Sequence, residues 1–384
     1  MALLVYGAFL ATSMFVFISQ RVQSTDDFED GNTVENSDGQ RREIAKEEDV
    51  WWRKFICAKH LHPLLVPFKL PVLYRDIIPS RSQYNIFLVE SSCIQRPAYR
   101  SICSVESYAR QNPTAEVWYV MVAPSADDAD GLLTKLSKQY LNLHFVSADL
   151  DLLFRGLPTY ELFTSRLWMK SRWLEIHLSD MMRLALLGQT GGLFSDTDTV
   201  CMRDLTSLTN FVGRVTKEFI NNAIFHFHRG NPILQKNLQR QNDFFGVEER
   251  GINGLVVMTD VIKEACNFTV PDQWEDFVVQ RCQNVLLMPS KAFYPIPLKR
   301  SGDIFMENLG ENLMKEISSS YIVHMWSGVS ALSPVRIGSR SLYDTLAASF
   351  CPSTRDTANS TKGAIRYYGE ALPGRAWHGG IGRP

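Results

Sequence analysis

The sequence predicts an α/β fold with a mostly parallel central sheet, built as one large domain. Three observations carry this. Short β-rich runs alternate with stretches of helical spacing from residue 84 to about residue 260. Hydrophobic residues make up 45% and charged residues 21% of the 384-residue chain, a globular balance rather than a disordered or collagen-like one. With both ends set aside, about 300 residues remain, enough for one domain with a sizeable core. The 40 Lys and Arg nearly cancel the 41 Asp and Glu, leaving a formal net charge of −1. That balance argues against a nucleic-acid partner or a polybasic membrane-surface protein, whose affinity rests on phosphate neutralisation.

The elements follow in order. Residues 2–18 form an almost unbroken apolar run, and no charge occurs before Arg21. The run reaches the lower limit for crossing a bilayer and exceeds the usual apolar part of a signal peptide, so residues 1–20 are expected to form a signal anchor. A cleaved signal ending near Val22-Gln23-Ser24 is the other reading. No basic residue precedes the run, so charge asymmetry does not fix its orientation. Both readings place the rest of the chain in the secretory lumen. Residues 21–50 hold ten acidic residues against four basic ones and few apolar ones. Such a segment cannot bury enough surface to offset its ordering entropy, which predicts an acidic luminal stem. Residues 51–354 are read as the globular body and 355–384 as a tail outside the core.

Within the body, residues 84–90 (YNIFLVE), 116–123 (EVWYVMVA) and 143–146 read as strands, and 102–111 and 129–140 as helices. This rhythm predicts a sheet covered on both faces, with ligands beyond the carboxyl ends of its strands. Cys93 with Cys103, and Cys266 with Cys282, are expected to close local loops as disulfides. Of the other three cysteines, at least one must stay a free thiol. The sequons at Asn267 and Asn359 suit a luminal protein. His226 and His228 have strand spacing but no third ligand nearby, and are read as structural.

Residues 179–205 (SDMMRLALLGQTGGLFSDTDTVCMRDL) hold the chemistry. A helix is expected with Asp180 at its start and Met181, Leu184, Ala185 and Leu187 on one apolar face. Gly188 and the Gly191-Gly192 pair end it and allow close backbone approach. Leu193-Phe194-Ser195 then reads as a short strand, with Asp196-Thr197-Asp198 at its carboxyl end. Carboxylates at i and i+2 on a strand point the same way and repel, so both stay ionised only beside a cation. Oxygen ligands suit Mg²⁺ or Mn²⁺, which typically bridge carboxylates and substrate phosphates. Asp-x-Asp alone is common in exposed turns; its place after a Gly pair and an apolar triplet singles this one out.

The pattern Ser179-Asp180-x-x-Arg183…Gly191-Gly192-x-x-x-Asp196-x-Asp198 resembles the DXD-containing glycosyltransferases of the GT-A fold, and more narrowly the alpha-1,4-glycosyltransferase family. Residues 87–91 (FLVES), 103–106 (CSVE), 291–297 (KAFYPIP), 321–326 (YIVHMW) and Cys351-Pro352 match the same family, so the similarity covers roughly residues 80–354. The resemblance implies a single GT-A catalytic domain after the anchor, with Asp196 and Asp198 as catalytic residues holding Mn²⁺ or Mg²⁺. His324 would complete the metal site, although a lone His among apolar residues is equally a core residue. Asp180, Arg183, Gly191, Gly192 and Trp326 would meet the donor. Otherwise Asp180 and Arg183 form a surface ion pair worth little, and Trp326 belongs to the core. Gly251, Asn253 and Gly254 match a Gly-x-x-Gly-Pro loop near the acceptor. The chain departs from the family at Leu255, in place of that Pro, and at Ser327, in place of an Asn after Trp326. Ser195, apolar in many relatives, is a candidate for altered sugar selectivity.

The implied reaction transfers galactose or an N-acetylhexosamine from a UDP-sugar to a galactose-type terminus of a glycolipid at the Golgi membrane. The protein would be single-pass and type II, with its catalytic domain in the lumen and no nucleic-acid partner. An α-linked donor giving an α-linked product means retention, and no carboxylate stands out as nucleophile, so a front-face path is expected. A glycan- or lipid-binding homologue without turnover and a nucleotide-sugar hydrolase are the alternatives.

Overall fold

The computed structural model describes residues 50–58, 60–64, 66–266 and 278–361. The expected anchor, nearly all of the stem, Asn267 and the chain beyond 361 lie outside them. Among the described residues, no helix is long and apolar enough to cross a membrane.

The strands are β1 (Pro67–Lys69), β2 (Asn85–Glu90), β3 (Glu116–Met121), β4 (Ser125–Asp127), β5 (Leu143–Ser147), β6 (Gly192–Ser195), β7 (Thr199–Cys201), β8 (Phe211–Arg214), β9 (Ile220–Phe227), β10 (Gln280–Cys282), β11 (Val285–Met288) and β12 (Ile322–His324). The main sheet runs β10-β11-β8-β9-β6-β2-β3-β5. Strands β6, β2, β3 and β5 form a parallel block. Their sequences, such as NIFLVE and EVWYVM, are buried at nearly every residue, as strands covered on both faces must be. The Tyr99–Gln111 helix crosses from β2 to β3 and stops at Asn112, because Pro113 disfavours helical geometry in the residue before it.

Alternation ends sooner than the sequence predicts. β9 lies antiparallel to both β6 and β8. Residues 215–219, which join β8 to β9, are too few for a parallel crossover. β7 leaves the sheet and pairs with β12. The consequence for function lies in the strand order. From β2 the chain steps outward to β3 and β5, then returns to place β6 on β2's other side. Such a reversal opens a crevice between the carboxyl ends of the two strands.

The disulfides correct one expectation. Cys266–Cys282 is present, but Cys93 pairs with Cys57 and Cys103 pairs with Cys351, leaving Cys201 as a buried thiol. Cys103 sits on a helix that packs against the Leu342–Phe350 and Pro352–Ser360 helices, so tertiary packing rather than nearness in sequence selects its partner. Glu106, one turn on, accepts the N–H groups of Ser353 (3.0 Å) and Thr354 (2.8 Å) and the Thr354 hydroxyl (2.7 Å). A buried carboxylate thus caps the Pro352–Ser360 helix, and ordered structure among the described residues runs past residue 354 to Thr361, beyond the boundary read from sequence.

Gly192 opens β6 at φ 128°, and a Cβ there would lie 2.4 Å from the Asn85 carbonyl oxygen. Gly192→Ala is expected to lower stability by about 1–3 kcal/mol or more, since backbone strain and a clash add together. A denaturant melt against the wild type checks this.

Candidate active site

The crevice where β2 and β6 end is a cleft of ≈ 350 Å³. Glu90, Ser91 and Ser92 line it from the end of β2, Glu175 and Ser179 from the Leu174–Gln189 helix, and Asp196, Thr197 and Asp198 from the end of β6. Arg183, Arg100, Arg250, Ser327 and Gly328 also line it.

Asp196 and Asp198 share the turn that leaves β6. Below it lies a buried hydroxyl network. Tyr108 donates to Ser195 Oγ (2.6 Å), and Thr199 Oγ1 donates to the Asp196 carbonyl (2.9 Å). Ser195 is fully buried in this brace and does not face the cleft. His324 arrives on β12, paired to β7 just beyond the turn, so that Thr199 and His324 are register partners. Its Nε2 lies 3.3 Å from Asp198 Oδ1. One ligand atom from each of Asp196, Asp198 and His324 falls within 4.8 Å of the others, a spacing that fits a divalent cation. Burial lowers the His324 pKa against the pull of Asp198, keeping the ring neutral as a metal ligand requires. The Tyr294 hydroxyl is buried within electrostatic reach of both carboxylates and has no hydrogen-bond partner, but it does not line the cleft.

Asp180 and Arg183 are not the surface pair allowed by the sequence. The helix begins at Leu174, so Asp180 lies well inside it rather than at its start. Ser171 Oγ accepts the Trp173 N–H (2.8 Å) just before the first turn, an earlier start signal. Both side chains are buried, 3.4 Å apart. Arg183 reaches Asp196 Oδ1 (3.1 Å) and donates to the Asn222 carbonyl (2.7 Å) and Ser179 Oγ (2.9 Å), with its guanidinium 4.5 Å over Phe194. Asp180 accepts from Asn222 Nδ2 (2.7 Å). One guanidinium therefore neutralises two carboxylates and aims Asp196.

The other expected site residues stand farther back. Gly191 and Gly192 lie at the opposite end of β6, five and four residues before Asp196, so at least about 13 Å from it along the strand. Their backbones abut Arg229 and Asn85, and they do not line the cleft. Gly254 packs so closely that a Cβ would meet Asn222 Nδ2 at 2.2 Å and Asp180 Oδ1 at 2.6 Å. Asn253 is buried and exchanges hydrogen bonds with the Gly246 backbone (2.8 and 2.7 Å), while Gly251 is exposed. This loop holds Asp180 in place; its neighbour Arg250 is the one that enters the cleft. Trp326 packs against His324 and Tyr294 and donates its indole N–H to the Ile296 carbonyl (2.8 Å). Its left-handed backbone (φ 57°) turns the Ser327 N–H onto Asp198 Oδ2 (2.7 Å). That contact uses backbone, so Ser in place of Asn preserves it. His226 is a core residue: its Nδ1 accepts the Asn210 N–H (3.0 Å), and burial depresses its pKa to about 3.

Glu90, Ser91, Glu175, Ser179, Arg100 and Arg250 have no role in the sequence reading. FLVES marked the first two as a match without a function, and an Arg beside a Gly loop is too common a signal to have singled out Arg250.

Burial raises the Asp196 pKa to about 7; Arg183 opposes the rise, and Asp198 and Asp180 add to it. A carboxyl with a raised folded pKa costs the fold stability progressively as pH rises from about 4 to about 7, with the full cost present above that, and a cation must displace its proton. Mn²⁺ affinity is therefore expected to fall as pH drops through 7 and to level off above it. Calorimetric titration from pH 5.5 to 8.5 in two buffers, which also counts protons released, checks the sign.

A parallel block with paired carboxylates and a histidine at its switch point defines a DXD-type glycosyltransferase architecture. Residues 98–214 match the model of the glycosyltransferase sugar-binding region containing the DXD motif, and 226–358 that of the alpha 1,4-glycosyltransferase conserved region. Human lactosylceramide 4-alpha-galactosyltransferase is 30% identical over 71% of this chain and 76% of its own length. Human alpha-1,4-N-acetylglucosaminyltransferase is 25% identical over 76% of this chain and 85% of its own. Among solved structures, galactosyltransferase LgtC with donor and acceptor sugar analogs matches 70% of this chain and 96% of its own at 14% identity and TM-score 0.33. The chain belongs to the alpha 1,4-glycosyltransferase family.

Proposed function

We propose that the protein is a divalent-metal-dependent, retaining alpha-1,4-glycosyltransferase. It moves galactose, or an N-acetylhexosamine, from a UDP-sugar to a terminal galactose-type acceptor on a glycosphingolipid such as lactosylceramide. The carrying observation is the cluster of Asp196, Asp198 and His324 at the switch-point crevice. The sugars and acceptor are taken from the names of the relatives. Asp196, Asp198 and His324 would hold Mn²⁺ or Mg²⁺, which when bound supplies Lewis-acid neutralisation of the leaving diphosphate.

The chain's own groups do the remaining work. Arg183 aims Asp196 and opposes the burial that raises its pKa, and the Ser327 N–H fixes the rotamer of Asp198. Retention follows a front-face path: the anomeric carbon–phosphate oxygen bond breaks and the acceptor oxygen bonds on the same face. Its proton passes to the departing phosphate oxygen. Three disulfides suit an oxidising lumen, in keeping with a type II Golgi membrane protein.

The test is full-length protein in detergent with lactosylceramide, Mn²⁺ and, separately, UDP-galactose, UDP-N-acetylgalactosamine and UDP-N-acetylglucosamine. Metal-dependent transfer with one donor, with the α-anomer in the product, supports the reading. Free sugar released without transfer when acceptor is saturating, or no turnover at all, overturns it.

A further inference from the structure

We infer that Trp173, Arg250 and Glu175 form a shelf at the cleft mouth that binds the terminal hexose of the acceptor. This rests on the glycosyltransferase reading and deepens it. Trp173 immediately precedes the Leu174–Gln189 helix and keeps 37% of its surface exposed, an uncommon state for a large aromatic side chain. Its exposure is not looseness. The indole N–H is donated to the Glu248 carbonyl (3.0 Å), and the adjoining Arg172 N–H to the Val247 carbonyl (3.0 Å). His177, one turn on, bonds Ser171 Oγ through Nδ1 (2.7 Å) and contacts the Glu249 carbonyl through Nε2 (3.1 Å). The two segments are stitched together, and the ring is presented in one orientation.

Beside the ring stands Arg250. Its guanidinium lies 6.0 Å from the Trp173 centroid and lines the cleft. On its other side it reaches the helix Ser327–Ser330, where a Cβ on Gly328 would sit 2.8 Å from Nη2, so the glycine leaves room for it. It makes no hydrogen bond or ion pair with any described side chain. Glu175, on the first turn of the helix, is exposed and lines the same cleft. The shelf thus offers an apolar face, a fork of donors and a carboxylate acceptor.

That set matches a pyranose, whose axial C–H groups make one apolar face while its hydroxyls both donate and accept around the edge. A uracil ring would also stack. The shelf's place favours the acceptor: the exposed Trp173 stands outside the cleft lining beside Arg250 and Glu175, which line it, so a sugar can rest there with its bulky aglycone in solvent, whereas a base needs an enclosed slot with partners along its edge.

The test compares wild type, Trp173→Ala, Trp173→Phe and Arg250→Lys, all full length. Binding of methyl β-lactoside is followed by saturation-transfer NMR, binding of UDP with Mn²⁺ by calorimetry, and acceptor KM and kcat with lactosylceramide. Trp173→Ala is expected to weaken methyl β-lactoside binding and raise acceptor KM at least about tenfold, with kcat changed less than about threefold, since a lost stacking face removes binding rather than chemistry. Trp173→Phe restores most of the loss. UDP affinity of Trp173→Ala stays within about twofold, since the ring stands outside the residues that line the cleft around the carboxylates. Methyl β-lactoside affinity unchanged in Trp173→Ala overturns the shelf, and loss of UDP affinity instead assigns the ring to the nucleotide. Lactoside binding that is lost on substitution, in a protein showing no transfer, keeps the shelf and rejects the enzymatic reading.

Discussion

Asp198→Asn is expected to cut sugar transfer by about 10³-fold or more, roughly 4 kcal/mol of transition-state stabilisation, while the protein stays folded. Asn is nearly isosteric and keeps an oxygen for the Ser327 N–H, so the 2.7 Å contact that orients residue 198 persists. What disappears is one of the two negative charges that make the cleft attractive to a divalent cation. Removing it relieves repulsion within the pair, so the melting temperature without metal should equal or exceed that of the wild type. The stabilisation that Mn²⁺ gives the wild type should be lost. Activity assays and melts with and without Mn²⁺ separate the two effects. Near-normal transfer by a folded Asp198→Asn protein would exclude the metal assignment.

Arg183→Ala should be the most damaging single change to the fold near the site. It strands Asp180 and Asp196, both deprived of their shared counter-charge, and leaves the Asn222 carbonyl and the face of Phe194 without the guanidinium. Breaking a buried pair by removing one partner costs about 3–5 kcal/mol. Because a divalent cation neutralises Asp196 from the cleft side, saturating Mn²⁺ should recover part of that loss, more at pH 8 than at pH 6, where Asp196 is protonated. Arg183→Lys keeps the charge but not the fork, and should fall between. A deficit that ignores Mn²⁺ at both pH values would sever the proposed link between Arg183 and the metal site.

Much of this was legible in the sequence, for identifiable reasons. The strands from residue 84 to 147 are continuous apolar runs with helices between them, and their pattern is strong enough to show the parallel block without any long-range information. Asp196 and Asp198 were legible because a strand end is a local feature. Arg183 was legible as a residue but not as a buried one, since only the return of Asn222 on β9 reveals what surrounds it. Gly191 and Gly192 carried a familiar pattern whose cause lies in backbone packing against Asn85 and Arg229, away from the cleft. The Cys93–Cys103 pairing failed for a related reason, while Cys266–Cys282 held: spacing along the chain favours Cys93 with Cys103, but the fold brings Cys351 to Cys103 across 248 residues. Arg250 and Trp173 had no local signal, because they matter only where two distant segments are stitched together.

The Cys103–Cys351 bond makes most of the enzyme a covalent ring. A protease that cuts once between those positions frees no fragment, and the two halves of the crevice, Ser179 to Asp198 and His324 to Gly328, stay joined under oxidising conditions. During synthesis the same bond cannot form until residue 351 has emerged, so Asp196, Asp198 and His324 have all been made before the ring can close. Closure of this ring is therefore a late event, open only to a chain that already carries Asp196, Asp198 and His324.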